Sequence, residues 1–390
     1  MESFAQNRTE QNSVYINRLS SVMPNEPVNN NDMEKILGQA GGQRSRAKTV
    51  ILRSNKITSR HYGIDPATGE FNYTNASLAA EAVTKLIPEA NELAQIDSLI
   101  ASTSIPDQSL PNHGVMVHGE LKNPPCEVIS TAGICLCGIT ALKYGYLAIK
   151  SQEQQTSVVV ASELASSVMH ADNFQAECEH KITQLSAKPE LAFEKDFLRW
   201  MLSDGAGAAL LSNKPNPNSL SLRIDWIDIC SFANEIETCM YAGADKQQGQ
   251  FKSGLRFNSQ ERELQSINAI KQDVKLLNNN IVKLTVEKAL SKIVAKRHIS
   301  PNDYSYFLPH YSSGYFREPL YEGLQNIDFE IPFERWFTNL STKGNTGSAS
   351  IFIMLDELFH SNDLTQGQKL LCYIPESGRF SSAFMQLTVV

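Results

Sequence analysis

The chain has no run of about 18 uninterrupted apolar residues, the length a membrane-spanning helix needs, so no span is expected. It has no block of lysine and arginine either. Its 390 residues carry a net charge of −7 and a pI near 5.7, so the footprint of a nucleic-acid binder is missing. Met1 to Asn12 is polar and lacks an apolar signal core, which points away from secretion and toward the cytoplasm. Cysteine is sparse: seven residues, an odd number, mostly among apolar neighbours, read as reduced thiols rather than a disulfide framework. Cys135 and Cys137 have no second ligand pair at metal-site spacing, so no metal is expected. Asp204-Gly205-Ala206-Gly207 is not followed by the Gly-Lys-Ser/Thr of a phosphate loop.

What is present suits a folded protein with a large core. Hydrophobic content is 42% and charged content 20%, and the length suggests two packed units. The most informative stretch is Ile129 to Glu163. A small-residue turn, Thr131-Ala132-Gly133, delivers Cys135 ahead of a helical pattern from Gly138 to Lys150. A polar break at Gln152 to Gln155 follows, and then a buried strand over Ser157 to Ala161. A cysteine at a helix start meets unpaired N–H groups and the positive end of the dipole. That placement is expected to lower the thiol pKa and supply thiolate, which makes Cys135 the candidate nucleophile. Inert packing is the plainer reading for Cys126, Cys178, Cys230, Cys239 and Cys372, and for Cys137 as well.

Along the chain, a polar tail over residues 1–13 precedes a first strand from Val14 to Met23 and a short helix from Met33 to Leu37. Gly38 to Arg46 reads as a basic loop, and Thr49 to Tyr62 as loop and strand. A capped helix over Leu78 to Leu86, a buried strand over Ile96 to Ser104 and a short helix with His113 and His118 come next. Glu177 to Leu185 is helix-prone, and Asp204 to Ala208 is a tight turn feeding a strand. Asn213 to Asn218 is the best linker, dividing a half over 14–214 from a half over 215–390. Gly243 to Lys252 reads as a polar loop, and Glu261 to Arg297 as a long helix with a break near Asn278 to Asn280. A strand over Tyr306 to Leu308 ends at Pro309-His310. Asn345 to Ser348 opens a helix, and strands over Leu370 to Ile374 and Ala383 to Val390 close the chain. The order of turn, helix, polar break and buried strand thus occurs twice, after Cys135 and after Asn345, which suggests duplicated halves bringing two helix starts to one site.

These motifs resemble those of β-ketoacyl-ACP synthase III enzymes of the thiolase-fold superfamily, over nearly everything from Val14 to Val390. Cys135 with Ala141-Leu142 fits the nucleophile motif, and Ser157 to Glu163 fits the strand after it. Ser203 to Ala208 fits GDGAGA with serine first; Leu308-Pro309-His310 and Gly344-Asn345-Thr346 fit the histidine and GNT motifs. The departures are Leu-Cys-Gly after Cys135, Tyr-Ser-Ser after His310, and Pro375 to Phe380 in place of a glycine-rich loop. They resemble the branch that makes dialkylresorcinol-type products, a ketosynthase that also cyclises.

The resemblance implies an α/β thiolase fold of five layers, α-β-α-β-α, and a Cys135, His310, Asn345 triad. Cys135 would carry an acyl group while His310 and Asn345 bind the second thioester as it becomes an enolate. Cys135 and the Gly378, Arg379, Phe380 loop would hold the acyl oxyanion. Glu163 is a candidate proton-transfer aid with a structural role as the alternative. Arg44, Arg46, Arg53 and Arg60 are candidate contacts for pantetheine phosphate or a carrier protein, or else a solvated basic surface. No cofactor is expected, since the substrates arrive as acyl carrier protein or CoA thioesters. The resemblance also implies a homodimer, with the strand at Ser157 to Ala161 expected to extend one sheet across two subunits. The alternatives are a simple β-ketoacyl-ACP synthase III, a biosynthetic thiolase, a cysteine hydrolase and a non-catalytic thiolase-fold partner subunit. A biosynthetic thiolase wants a second cysteine where this chain has Ser377-Gly378, and the hydrolase lacks its Cys-Gly-Ser-Cys-Trp-type context.

Overall fold

A computed structural model describes residues 13–40, 48–174, 198–247 and 250–390. The N-terminal tail, Arg44 and Arg46, Cys178 and the helix-prone segment from Glu177 to Leu185 lie outside them. The fold is built on nine strands: β1 (Tyr15–Val22), β2 (Ser98–Thr103), β3 (Glu127–Ala132), β4 (Thr156–Glu163), β5 (Gly205–Ser212), β6 (Leu222–Ser231), β7 (Tyr306–Pro309), β8 (Lys369–Glu376) and β9 (Ser381–Val389). Eight helices matter here: α1 (Lys48–Asn55), α2 (Asn75–Leu86), α3 (His113–Leu121), α4 (Leu136–Lys150), α5 (Val274–Val282), α6 (Ala289–Arg297), α7 (Arg317–Gln325) and α8 (Ser350–Phe359).

The strands form one ladder in the order β7-β8-β9-β6-β1-β5-β4-β2-β3. The halves join where Tyr15 and Ile16 of β1 pair with Arg223 and Leu222 of β6. Alternation along each strand sorts side chains between two faces. Val158 and Val160 of β4 face an outer core with Ala79, Val83 and Leu86 of α2, while Val159 and Ala161 face the centre. In the other half, Leu371 and Tyr373 of β8 meet Leu277, Leu290 and Leu320 of α5 to α7, while Leu370, Cys372 and Ile374 face the centre. That central core holds α4 (Ile139, Leu142, Ile149) and α8 (Ile351, Phe352, Leu355), so five layers result in the expected α-β-α-β-α order. Residues 213–218 lie between β5 and β6.

Several local expectations need correction. Thr49 to Asn55 is part of helix α1 rather than loop and strand, with Ile51 and Asn55, one helical turn apart, facing the core and Thr49, Arg53 and Ser54 facing solvent. Within Gly243 to Lys252, Ala244–Gln247 pairs with Gln250–Ser253 as a hairpin, not a loop. The long helical segment does not break at Asn278 to Asn280, since the Asn280 amide caps the Leu276 carbonyl at 2.8 Å inside α5. The irregularity falls one turn later, as a π-helical stretch over Lys283–Lys288 that runs into α6.

The dimer expectation also changes. The strand over Ser157 to Ala161 is flanked on both sides, by β2 and by β5, so it has no free edge for a second sheet. The edge strand of this half is β3, whose residues are half-buried or exposed.

Candidate active site

Cys135 sits at the N-cap of α4, with helical φ −50° and ψ −26°. Thr131 at the end of β3 donates its hydroxyl to the Cys137 carbonyl at 2.9 Å, which clamps the strand end to the first helical turn. The thiol opens into a cavity of about 40 Å³. His310 lines the same cavity from the end of β7, where its backbone N–H continues the parallel ladder to the Tyr373 carbonyl at 2.8 Å. The remaining walls are largely apolar and come from Leu277, Ile281 and Val282 of α5, together with Phe316 and Leu320. Sequence reading did not single out these wall residues, because their helical pattern marks core and cavity walls alike.

Burial sets the protonation of both groups. The His310 imidazole is held down at about 4, so near neutral pH it is uncharged and keeps one N–H to donate. The Cys135 thiol is pushed the other way. Burial raises it well above the usual thiol range, and the carboxylates of Glu163 and Glu376 add to the rise. The expected low-pKa thiolate is therefore not the resting state. The pull of a helix start is outweighed at a buried thiol with two acids nearby.

Asn345 does not line that cavity. It is buried on a turn whose N–H reaches the Met201 carbonyl at 3.0 Å and whose carbonyl accepts from Ser203 N–H at 2.8 Å. Its side-chain oxygen accepts the Gly347 N–H at 3.0 Å, which leaves the amide nitrogen as the end able to donate elsewhere. This turn packs on the first turn of α4. A Cβ at Gly138 would fall 2.3 Å from the Ser348 carbonyl oxygen, so only glycine permits the approach. The two helix starts of the repeated pattern therefore do meet.

Glu163 lies at that junction, and its carboxylate is fully engaged. It accepts Ser104 Oγ at 2.6 Å, Ser348 Oγ at 2.5 Å and Ser348 N–H at 3.1 Å, with Thr103 Oγ1 more distant at 3.4 Å. Burial raises its pKa, and the serine donors oppose the rise. This geometry is that of a structural clamp rather than of a proton shuttle. Asp204 plays a similar part in the Ser203 to Ala208 motif, accepting Gly63 N–H at 2.7 Å and Ser166 N–H at 2.8 Å.

The loop after β8 departs from expectation. Gly378 and Arg379 present their N–H groups to Glu376, the latter at 3.2 Å, instead of to the cavity. The Arg379 side chain points away and donates to the Ile236 carbonyl at 3.0 Å, while the Phe380 ring is buried in the outer core. A carboxylate where a glycine-rich loop was expected has captured the proposed oxyanion donors.

Of the candidate cationic contacts, Arg53 is exposed on α1. Arg60 is fully buried, donating to Asn30 Oδ1 at 2.5 Å and to the Trp200 carbonyl, so it is a structural residue and not a phosphate contact. His113 is buried against Ser162 Oγ at 3.1 Å, and His118 meets the Pro124 carbonyl at 3.3 Å; neither lines the cavity. Among the described residues no helix is long and apolar enough to cross a membrane, and no group of three or more His, Cys, Asp or Glu side chains could hold a metal.

Comparison with known proteins bears on the fold that carries this site. Residues 294–374 match the family described as 3-oxoacyl-[acyl-carrier-protein (ACP)] synthase III C terminal. The chain is 23% identical over 335 residues to the β-ketoacyl-[acyl-carrier-protein] synthase III of Clostridium perfringens, covering 84% of this chain and 89% of that one. Among solved structures it superposes on Xanthomonas campestris OleA with bound lauric acid and lauroyl-CoA, with a TM-score of 0.71 at 17% identity, covering 97% and 99% of the two chains. A tetronic acid condensing enzyme gives a TM-score of 0.70 at 17% identity over 96% of this chain and 99% of that one. The fold is that of these condensing enzymes, and the matches point to an acyl-transferring condensing enzyme.

Proposed function

We propose that this chain is a ketosynthase that joins two acyl thioesters by Claisen condensation through an acyl-Cys135 intermediate. The observation that carries the reading is the shared cavity: a nucleophile and a neutral histidine, far apart in sequence, face one apolar-walled space. Cys135 sulfur would attack the first thioester carbonyl as its proton leaves, expelling the carrier thiol. Loss of carbon dioxide from a malonyl donor, or of the acidic C2 proton of a β-ketoacyl donor to solvent, would then leave an enolate on the second thioester. His310, with one N–H to give, would steady its carbonyl, joined by the Asn345 amide once its turn, outside the resting cavity, moves toward it. The enolate carbon would attack the acyl-Cys135 carbonyl, forming the carbon–carbon bond and releasing the cysteine.

The finer reading is that the condensed product closes to a dialkylresorcinol-type ring. A simple β-ketoacyl-ACP synthase III reaction with malonyl-ACP is the second reading, favoured by the similarity to that enzyme along most of the chain. Mass spectrometry of products from paired acyl and β-ketoacyl or malonyl thioesters separates the two. A ring product supports the first, a linear β-ketoacyl product the second, and free acid alone would mean a hydrolase.

An acyl carrier protein is the proposed donor. Arg53 and the neighbouring Lys56 are exposed cations that would meet it; Asn55 and Lys56 at the end of α1 pack on Gly314, in the turn that contributes Phe316 to the cavity wall. A homodimer is proposed through the β3 edge, with Tyr144 of α4, whose hydroxyl donates to Glu127 of β3, beside it. A monomer of 43.3 kDa in size-exclusion chromatography would contradict that assembly.

A further inference from the structure

Glu376 ends β8, and its side chain turns back over the loop that follows. Oε1 accepts the N–H groups of Gly378 and Arg379, and Oε2 accepts that of Ser381 at 3.1 Å. The chain thus wraps three backbone donors around one of its own carboxylates, a concavity of the kind that binds anions. Its neighbours in sequence, Pro375 and Ser377, both line the cavity that holds Cys135. The loop also bears on the nucleophile's own segment, since a Cβ at Gly378 would fall 2.4 Å from Ile134 Cδ1, one residue before Cys135. N–H groups held in this way are not available to an oxyanion. A fixed negative charge beside the cavity also works against a thiolate.

We propose that Glu376 is a positioning residue for acyl transfer: it holds the Gly378 and Arg379 N–H groups on its own carboxylate at rest and gives them up when Cys135 is acylated. The inference rests on the reading that Cys135 carries the acyl group. The other titratable groups that face Cys135 are Glu163 at the end of β4, Cys137 on its own helix and His310 across the cavity. Only Glu376 touches the loop, so only its substitution should change both loop and thiol.

The test uses Glu376→Gln, which keeps the shape and an acceptor oxygen but removes the charge, and Glu376→Asp, which keeps the charge. Iodoacetamide labelling of Cys135 is followed by peptide mass spectrometry across pH, beside its acylation by an acyl-CoA. Glu376→Gln should raise the labelling rate about tenfold at every pH below the thiol's own pKa, the equivalent of about one pKa unit. Glu376→Asp should keep the wild-type rate. A Gln profile that superimposes on wild type, or a rise that Glu376→Asp shares, overturns the proposal; the latter is what a merely loosened loop would give. Hydrogen exchange on the wild type does not depend on any variant folding. The Gly378 and Arg379 amides should exchange about tenfold faster once Cys135 is acylated, and equal protection in both states overturns the proposal. A wild type that takes up no acyl group at Cys135 refutes the ketosynthase reading, whereas acylation with unchanged Gln behaviour refutes this inference alone.

Discussion

Ser348 donates both its backbone N–H and its hydroxyl to the Glu163 carboxylate, at 3.1 Å and 2.5 Å, and so ties the start of the second repeat to the end of a strand from the first. Removing that acceptor strands donors from Ser104 and Ser348 in a site closed to water. Glu163→Ala should lower unfolding stability by about 2–4 kcal/mol, the cost of leaving buried donors unpaired. Glu163→Gln should lose less. Denaturant titration measures both, and an unchanged midpoint for the alanine variant would contradict the clamp.

Gly138 is the other half of that junction. A methyl group there would meet the Ser348 carbonyl at 2.3 Å, against backbone rather than a yielding side chain. Gly138→Ala should cost about 1–3 kcal/mol through overpacking. It should also depress condensation more than Cys135 acylation, because it displaces the Asn345 turn relative to the thiol. Separate assays of the acyl-enzyme and the condensed product distinguish the two steps, and equal loss in both would count against the argument.

His113 supplies a pH signature. Its buried imidazole is held at about 4, below the ordinary value of 6.5. The unfolded chain therefore binds more protons between those values, and this group destabilises the fold as pH falls from 6.5 toward 4, by up to about 3 kcal/mol. His310 acts in the same direction. Asp204 acts in the opposite one, because burial raises its carboxyl to about 6 and proton uptake by the folded state then stabilises as pH falls from there to 3.8. The comparison that isolates His113 is between variant and wild type at each pH. His113→Asn should be less stable at pH 7, having lost the Ser162 bond, and should close or reverse that gap by pH 4.5. A gap that stays constant with pH would refute the assignment.

The cavity limits what fits at rest. Its volume of about 40 Å³ has room for only a few waters or a short acyl group. Leu320→Ala and Phe316→Ala each remove wall volume, and should raise acylation of Cys135 by longer acyl-CoAs relative to acetyl-CoA. Unchanged chain-length preference in both variants would show that the acyl chain lies elsewhere.

Much of this arrangement is legible in the sequence, for physical reasons. The buried strand Ser157 to Ala161 and the helix after Cys135 announce themselves through a continuous apolar run and a period-3.6 pattern, and both form nearly as written. The repeated order of turn, helix and strand anticipates that two helix starts meet, as the Gly138 and Ser348 contact shows. What local pattern cannot supply is pairing. A buried strand reads the same whether it lies at the centre or the edge of a sheet, so Ser157 to Ala161 gives no sign that both of its edges are filled. Charge environment is equally hidden. The helix start argues for a thiolate at Cys135, but the burial and the two carboxylates that reverse the argument come from distant segments. Glu376 does carry a signal, an acid in place of glycine in the terminal loop, yet only geometry shows it folded onto its own N–H groups.

The central claim is that Cys135 takes an acyl group from a thioester. The most direct measurement is the intact mass of the wild type and of Cys135→Ala after incubation with an acyl-CoA, with peptide mapping of the adduct. The account predicts one acyl increment on the wild type, located at Cys135, and none on the alanine variant. An unmodified wild type, or equal modification of both proteins, would contradict it.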